Sequence, residues 1–198
     1  MTTNQYVMMA LTAMVKISPN SVLVTIDMQK GFDDPKWGRR NNPHAEEITA
    51  KVLSQFREHG LKVIHVRHDS KSESSPLKDG KPGFEFKDEI NPAEDEPVVV
   101  KHVNSGFIGT DLEERLRKLG DPDVYYLGLV TDHCVSTTAR MSGNLGFNSF
   151  IIEDACATFD TKDQNGELIT AEIVHKVNLA SLHSGGFAKI VKSGDLEF

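Results

Sequence analysis

Three residues of reactive type stand far apart in this sequence but in equivalent local settings: Asp27, Lys101 and Cys134 each follow a short β-rich apolar run. Asp27 ends the run SVLVTIDM that starts at Ser21, Lys101 follows Val98 to Val100, and Cys134 comes shortly after Val124 to Val130. A buried carboxylate at a strand end is either a cap for the next loop or a functional acid or base. Lysine after a strand is ordinarily a solvated terminus. Around Cys134, Thr131 and Asp132 are helix-capping types, and apolar residues then recur at Val135, Ala139 and Met141 until Gly143 and Gly146. That spacing puts the cysteine in a first helical turn, where unpaired N–H groups and the helix dipole favour a thiolate and can hold an oxyanion. The competing reading of Cys134 is a small buried hydrophobe. All three residues fall at the C-terminal ends of strands, the edge at which open α/β sheets bind ligands.

The rest of the chain supplies the elements that bring that edge together. Strands are expected at Ser21 to Met28, Lys62 to His68, Val98 to Val100, Val124 to Val130, Ser149 to Ile152 and Phe187 to Val191. Helices are expected from Asn42-Pro43 to Gly60, from the capping box Thr110-Asp111-Leu112-Glu113 to Gly120, after Thr131, and over Thr170 to Leu182. This alternation predicts a three-layer α/β/α, Rossmann-like domain with a six-stranded parallel sheet and right-handed crossovers. Asp69 to Asn91 reads as a long surface loop of the kind that forms lids or partner contacts, and Asp160 to Leu168 as a polar loop.

With 198 residues, one domain is expected over 21–198, preceded by an arm or helix over 1–20. The stretch Val7 to Val15 is mildly apolar but lacks a basic start and a small-residue cleavage site, so it reads as a segment packing on the domain or on a neighbouring subunit, and the location as cytoplasmic. A net charge of −7 argues against nucleic acid or an anionic membrane as partner. The two cysteines, Cys134 and Cys156, make no disulfide framework.

The motifs VLVTIDMQKGF with Asp27, VVVKHVNSGFIGTDLEERL with Lys101, and GLVTDHCVSTTARMSGNLGF with Cys134, followed by EDACATFD, together resemble the isochorismatase-like cysteine hydrolases. That family includes nicotinamidases, N-carbamoylsarcosine amidohydrolases and ureidoacrylate hydrolases, and the resemblance runs from Ser21 to about Val191. It implies a catalytic triad of Asp27, Lys101 and Cys134, a cis peptide between Val130 and Thr131, and an oxyanion hole from backbone amides near Thr131 and Cys134. In such a triad Asp27 accepts the thiol proton, Lys101 keeps the carboxylate ionised, and the sulfur attacks a carbonyl carbon. His133 is adjacent to the cysteine in sequence but need not touch it, and reads as a pocket wall. Phe32, Trp37, Asn104 and Phe107 are candidate substrate contacts, each with an equally open reading as turn or core, and Cys156 reads as inert packing.

Nicotinamidases of this family carry an aspartate and two histidines as metal ligands beyond the second strand. Here the segment is HVRHDSKSESSPL, whose His65 and His68 lie three apart in a strand and face opposite sides, so no metal and no cofactor is expected. The expected reaction is hydrolysis of a small amide or ureido C–N bond. The alternatives are hydrolysis of the vinyl ether of isochorismate with Asp27 as acid, and a catalytically idle binding protein on the same fold. The resemblance further implies a homodimer or homotetramer.

Overall fold

The strand Val22–Ile26 (β1) is buried at all five positions and Val124–Leu129 (β4) at all six, as expected of β-rich apolar runs covered on both faces. They lie side by side at the centre of a computed structural model that describes residues 14–198. Lys62–His68 (β2), Val98–Lys101 (β3), Ser149–Ala157 (β5) and Lys189–Val191 (β6) complete a six-stranded sheet in the order β3-β2-β1-β4-β5-β6. Every pairing in it is parallel. Alternation along β4 distributes the layers: the Tyr125 ring meets Phe56 of helix α1 (Ala45–Glu58) edge-on at 5.9 Å, while the Tyr126 hydroxyl donates to Ser142 on α3 (Ser136–Asn144) at 2.8 Å. Helices α2 (Leu112–Lys118) and α4 (Ala171–Ser184) flank α3 on its side of the sheet. The chain leaves β1 toward β2 and leaves β4 toward β5, in opposite directions, so the crevice between the ends of β1 and β4 is the topological switch point of the sheet.

The six strands and four helices sit where the apolar runs place them, and the departures are local. Strand β5 runs on past Ile152 to Ala157 through a register shift, Tyr126 pairing with Ile151 but Gly128 with Cys156. The polar pair Glu153-Asp154 that suggested a strand end is instead a bulge, with Asp154 accepting from the Ser193 N–H at 2.8 Å and hydroxyl at 2.6 Å. The expected loop after Asp160 contains a small antiparallel pair, Thr161–Lys162 with Leu168–Ile169. The capping box at Thr110 does not form: the cap position is Asp111, and the Thr110 hydroxyl lies one residue earlier, donating to the Gly106 carbonyl and accepting from the Leu112 N–H. Most of the apolar stretch from Val7 to Val15 lies outside the described residues; Val15–Lys16 form a short parallel pair with Leu196–Glu197.

The long segment after β2 is no free lid. Gln29 and Phe86 form a β-bridge, the Lys30 N–H donates to Glu85 and the Lys87 N–H to Met28, and the Arg67 guanidinium lies 4.0 Å over the Phe84 ring. Gly31 and Gly83 meet backbone to backbone: a Cβ on Gly83 would come within 2.8 Å of the Gly31 Cα and 2.4 Å of the Pro76 carbonyl oxygen. Lower down, the Glu96 carboxylate accepts from Arg57, from His65 Nε2 at 2.8 Å and from the Ala93 N–H, which anchors the lead into β3 and hence Lys101.

Two predictions follow from these anchors. At Gly128, φ is +131° and a Cβ would stand 2.0 Å from the Ile26 carbonyl oxygen, so Gly128→Ala should lose more than about 3 kcal/mol in urea denaturation. Despite the cost of burial, its hydrogen bonds to Arg57, Ala93 and His65 hold Glu96 down at about 2, below its ordinary 4.5. A depressed folded-state pKa gives stability that is complete above the ordinary value and lost as pH falls through the folded one. Denaturation between pH about 4.5 and about 2 should therefore show a steep loss in the wild type and a shallower one in Glu96→Gln, which starts less stable at neutral pH.

Candidate active site

Asp27 is the first residue past β1 and has φ 51°, a left-handed conformation that aspartate tolerates better than most side chains. Its N–H donates to the Val66 carbonyl at 2.8 Å and its carbonyl accepts from Gln29 at 2.7 Å, so the turn is held on both sides. The Asp27 and Lys101 side chains are both fully buried. Lys101 Nζ lies 2.7 Å from Asp27 Oδ2, 3.3 Å from Cys134 Sγ and 3.2 Å from His68 Nδ1, so three acceptors use the three N–H bonds of the ammonium. The structure thus brings Asp27, Lys101 and Cys134 into one cluster from three strand ends. It adds His68, the last residue of β2, to them.

Cys134 belongs to a π turn, Thr131–Val135, that precedes α3. Such turns recur at functional sites. Thr131 and Asp132 do not cap it: the cap position is Val130, whose carbonyl accepts from His133 and Val135. The Thr131 hydroxyl instead bonds His175 Nδ1 of α4 at 2.8 Å, and Asp132 accepts from the Thr158 hydroxyl. The cis peptide lies between Leu129 and Val130, one residue earlier than expected between Val130 and Thr131. Because Val130 already serves as the cap of the π turn, the chain must change direction at the last residue of the strand.

The electrostatics favour an ion pair beside a neutral thiol. Burial pulls Lys101 down, but Asp27 and Cys134 beside it prevail and hold its ammonium above its ordinary value. Burial first, and then the Asp27 carboxylate within hydrogen-bonding reach, push the Cys134 thiol well above the ordinary range against the opposing pull of Lys101. A helix start alone would have favoured a thiolate; burial reverses that here. Burial and the neighbouring Lys101 likewise lower His68 and keep its imidazole neutral. Asp27 Oδ1 is buried and has no hydrogen-bond partner among the described residues.

The other candidates divide. Phe32 and Trp37 stack with Phe159 at ring distances of 6.4 and 5.7 Å and meet each other at 5.3 Å, forming an aromatic wall on the segments that follow β1 and β5. Asn104 is exposed, and His133 is turned outward with Nε2 3.3 Å from Asp132. Phe107 packs in the core, where it stacks on Phe147 at 6.1 Å, and the N–H of the preceding Gly106 donates to Thr138 of α3. Cys156 is fully buried and its thiol is pushed up to about 12 by burial. His65 faces away from the cluster, bonded to Thr25 and Glu96. Among the described residues no group of three or more His, Cys, Asp or Glu could hold a metal ion, and no helix is long and apolar enough to cross a membrane. A groove of ≈ 510 Å³ between Leu61, Pro97 and Leu119 lies away from the cluster, and of its four cations Arg57, Arg115 and Lys118, but not Lys62, are paired among the described residues, with Glu96, Asp111 and Glu114.

His68, Gln29, Phe159 and His175 join the expected residues around the site through contacts that the sequence alone does not place there. His68 carried a signal, since it ends a strand as Lys101 does. Gln29 grips both backbone groups of His68, accepting from its N–H at 2.8 Å and donating to its carbonyl at 3.1 Å, a contact with no sequence signature.

Comparison with known proteins identifies the family. Residues 21–178 match the isochorismatase domain family. An uncharacterized isochorismatase family protein, YrdC of Bacillus subtilis, is 45% identical over 174 residues, 88% of this chain and 92% of that protein. A crystal structure of an isochorismatase-family protein from Chromobacterium violaceum superposes with a TM-score of 0.87 at 42% identity, covering 92% of this chain and 95% of the other. At 31% identity stand both a secreted isochorismatase effector of Verticillium dahliae, covering 89% of this chain and 90% of that protein, and nicotinamidase 3 of Arabidopsis thaliana, covering 89% and 88%. With sequence, fold and the clustered strand-end residues in agreement, this chain belongs to the isochorismatase family of hydrolases.

Proposed function

We propose that the protein is a cysteine-dependent hydrolase that cleaves the C–N bond of a small amide or ureido substrate through a thioester on Cys134. The observation that carries this reading is the division of the Asp27 carboxylate. Oδ2 is engaged by Lys101, whereas Oδ1 is buried without a partner, and the Cys134 thiol held by the same lysine rests protonated. A neutral nucleophile next to an unengaged base is the starting point of base-assisted attack. As sulfur bonds the carbonyl carbon, the thiol proton passes to Asp27, and the backbone N–H groups of Thr131 and Cys134 receive the oxyanion. Asp27 then protonates the departing nitrogen as the C–N bond breaks, leaving the thioester. Water, deprotonated by Asp27, attacks the thioester; the C–S bond breaks, the acid leaves, and the proton returns to sulfur. Lys101 stays bonded to the Asp27 carboxylate between these transfers. In this reading Phe32 and Trp37 with Phe159 form the apolar wall, and Asn104 and His133 the polar rim. Similarity to a nicotinamidase supports C–N hydrolysis.

A second reading, hydrolysis of the vinyl ether of isochorismate with Asp27 as acid, draws on the same unengaged Oδ1 and on similarity to the Verticillium effector. Small primary amides, ureido acids and isochorismate should be assayed with wild type, Cys134→Ala and Asp27→Asn. Amide or ureido turnover should fall roughly 10³-fold or more in both variants. Isochorismate turnover that survives Cys134→Ala would replace the first reading with the second. Iodoacetamide followed by mass spectrometry should modify Cys134 and spare Cys156 in the folded protein, and Asp27→Asn should slow that modification; equal labelling of the two cysteines would contradict an assisted thiol.

A further inference from the structure

One group in direct contact with the cluster takes no part in the reaction above. His68 Nδ1 lies 3.2 Å from Lys101 Nζ, and the two residues are register partners on neighbouring strands. We propose that His68 is the positioning residue of the site: its neutral imidazole takes the third N–H of Lys101, which aims the ammonium at Asp27 and Cys134 together, and its protonation disarms the cluster. The proposal rests on the cysteine-hydrolase reading.

The donor count makes the case. An ammonium has three N–H bonds in fixed tetrahedral directions, and here they go to Asp27 Oδ2, Cys134 Sγ and His68 Nδ1. Without an acceptor at His68, one N–H of a fully buried cation is left without a partner. The ammonium can then turn about its side chain to recover one, and its bond to the sulfur, the longest of the three, is the one most readily given up. Only neutral imidazole, with its proton on Nε2, can accept at Nδ1; the imidazolium presents a second N–H and a second positive charge to Lys101. The groups that face His68 are Lys101 from β3, Asp27 from the end of β1, and Asp69 on its own strand end, with the Val103 carbonyl beside it and the Cys134 thiol beyond Lys101. Burial and Lys101 outweigh the two carboxylates and lower its pKa, so the accepting form prevails at neutral pH and is lost as the medium becomes acidic. The backbone that carries the ring is held in place, because Gln29 bonds both the N–H and the carbonyl of His68. His65, three residues earlier, is occupied by Thr25 and Glu96 on the other side and provides an internal contrast.

Two variants separate positioning from packing. Asparagine places an amide oxygen near the Nδ1 position but does not titrate, whereas leucine fills the space without an acceptor. His68→Leu should lower kcat by about tenfold to a hundredfold, a loss of the size seen when an outer partner of a reacting group is removed, with KM little changed. His68→Asn should keep kcat within about fivefold of wild type while the acidic limb of the wild-type kcat profile, lying below pH 6.5, moves to lower pH. Full kcat in His68→Leu, or an unchanged acidic limb in His68→Asn, would overturn the proposal. Circular dichroism establishes that each variant is folded, and the asparagine variant carries the test if the leucine variant is not. The rate of Cys134 modification by iodoacetamide supplies a readout without substrate: it should drop in His68→Leu and persist in His68→Asn. If turnover in wild type proves independent of Cys134, the hydrolase reading fails by itself, and this modification rate still decides whether His68 orients Lys101.

Discussion

A carboxylate and an ammonium, both without solvent exposure, meet at 2.7 Å where the sheet ends, and the architecture around them serves to keep them there. Removing two such charges from water is expensive, and their mutual attraction offsets that cost only when geometry is good and the remaining donors and acceptors are satisfied. Lys101 meets the condition with three acceptors. Asp27 meets it on one oxygen and leaves the other open, which concentrates the unsatisfied polarity of the site in a single atom. Local imperfection of this kind persists only where the surroundings over-determine it. Here they do: Asp27 is pinned through its own backbone to β2 and to Gln29, Lys101 by its ladder with His68, and Cys134 by a π turn tied to α4 through Thr131.

The same cluster explains why a buried, protonated cysteine is compatible with nucleophilic chemistry. A permanently ionised sulfur would have to be stabilised against burial by Lys101, and Asp27 would oppose it. Keeping the negative charge on oxygen and the proton on sulfur avoids two anions in one dry site. In the proposed reaction, charge would reach sulfur only as the new bond forms.

Much of this was legible in the chain before any coordinates. Unbroken β-rich runs such as VLVTI and VYYLGL are strands in nearly any setting with both faces covered, and the 3.6-residue spacing of Ile48, Val52, Leu53 and Phe56 allows little else than a helix. Once those elements alternate, a parallel sheet with right-handed crossovers follows from general rules, and Asp27, Lys101 and Cys134 must share an edge. What escaped the sequence depends on contacts between distant segments. The bulge at Glu153-Asp154 makes sense only with Ser193 opposite, the π turn and the peptide before Val130 only with the neighbouring strands in place, and the burial of Phe107 only with Phe147 behind it. Polar residues that bridge backbones, Gln29 above all, leave no periodic trace. His68 was overlooked for another reason: weighed as a metal ligand with His65, it was not weighed alone as a strand-end residue.

The backbone contact between Gly31 and Gly83 constrains how the entrance to this crevice can diversify. Since the main chains touch there, with Pro76 closing over Gly83, neither segment has room to lengthen or to acquire a bulky residue alone. Grafting a relative's loop onto this scaffold would thus require transplanting both stretches as one piece, and among homologues the two should vary in tandem while the cluster of Asp27, Lys101 and Cys134 stays the same.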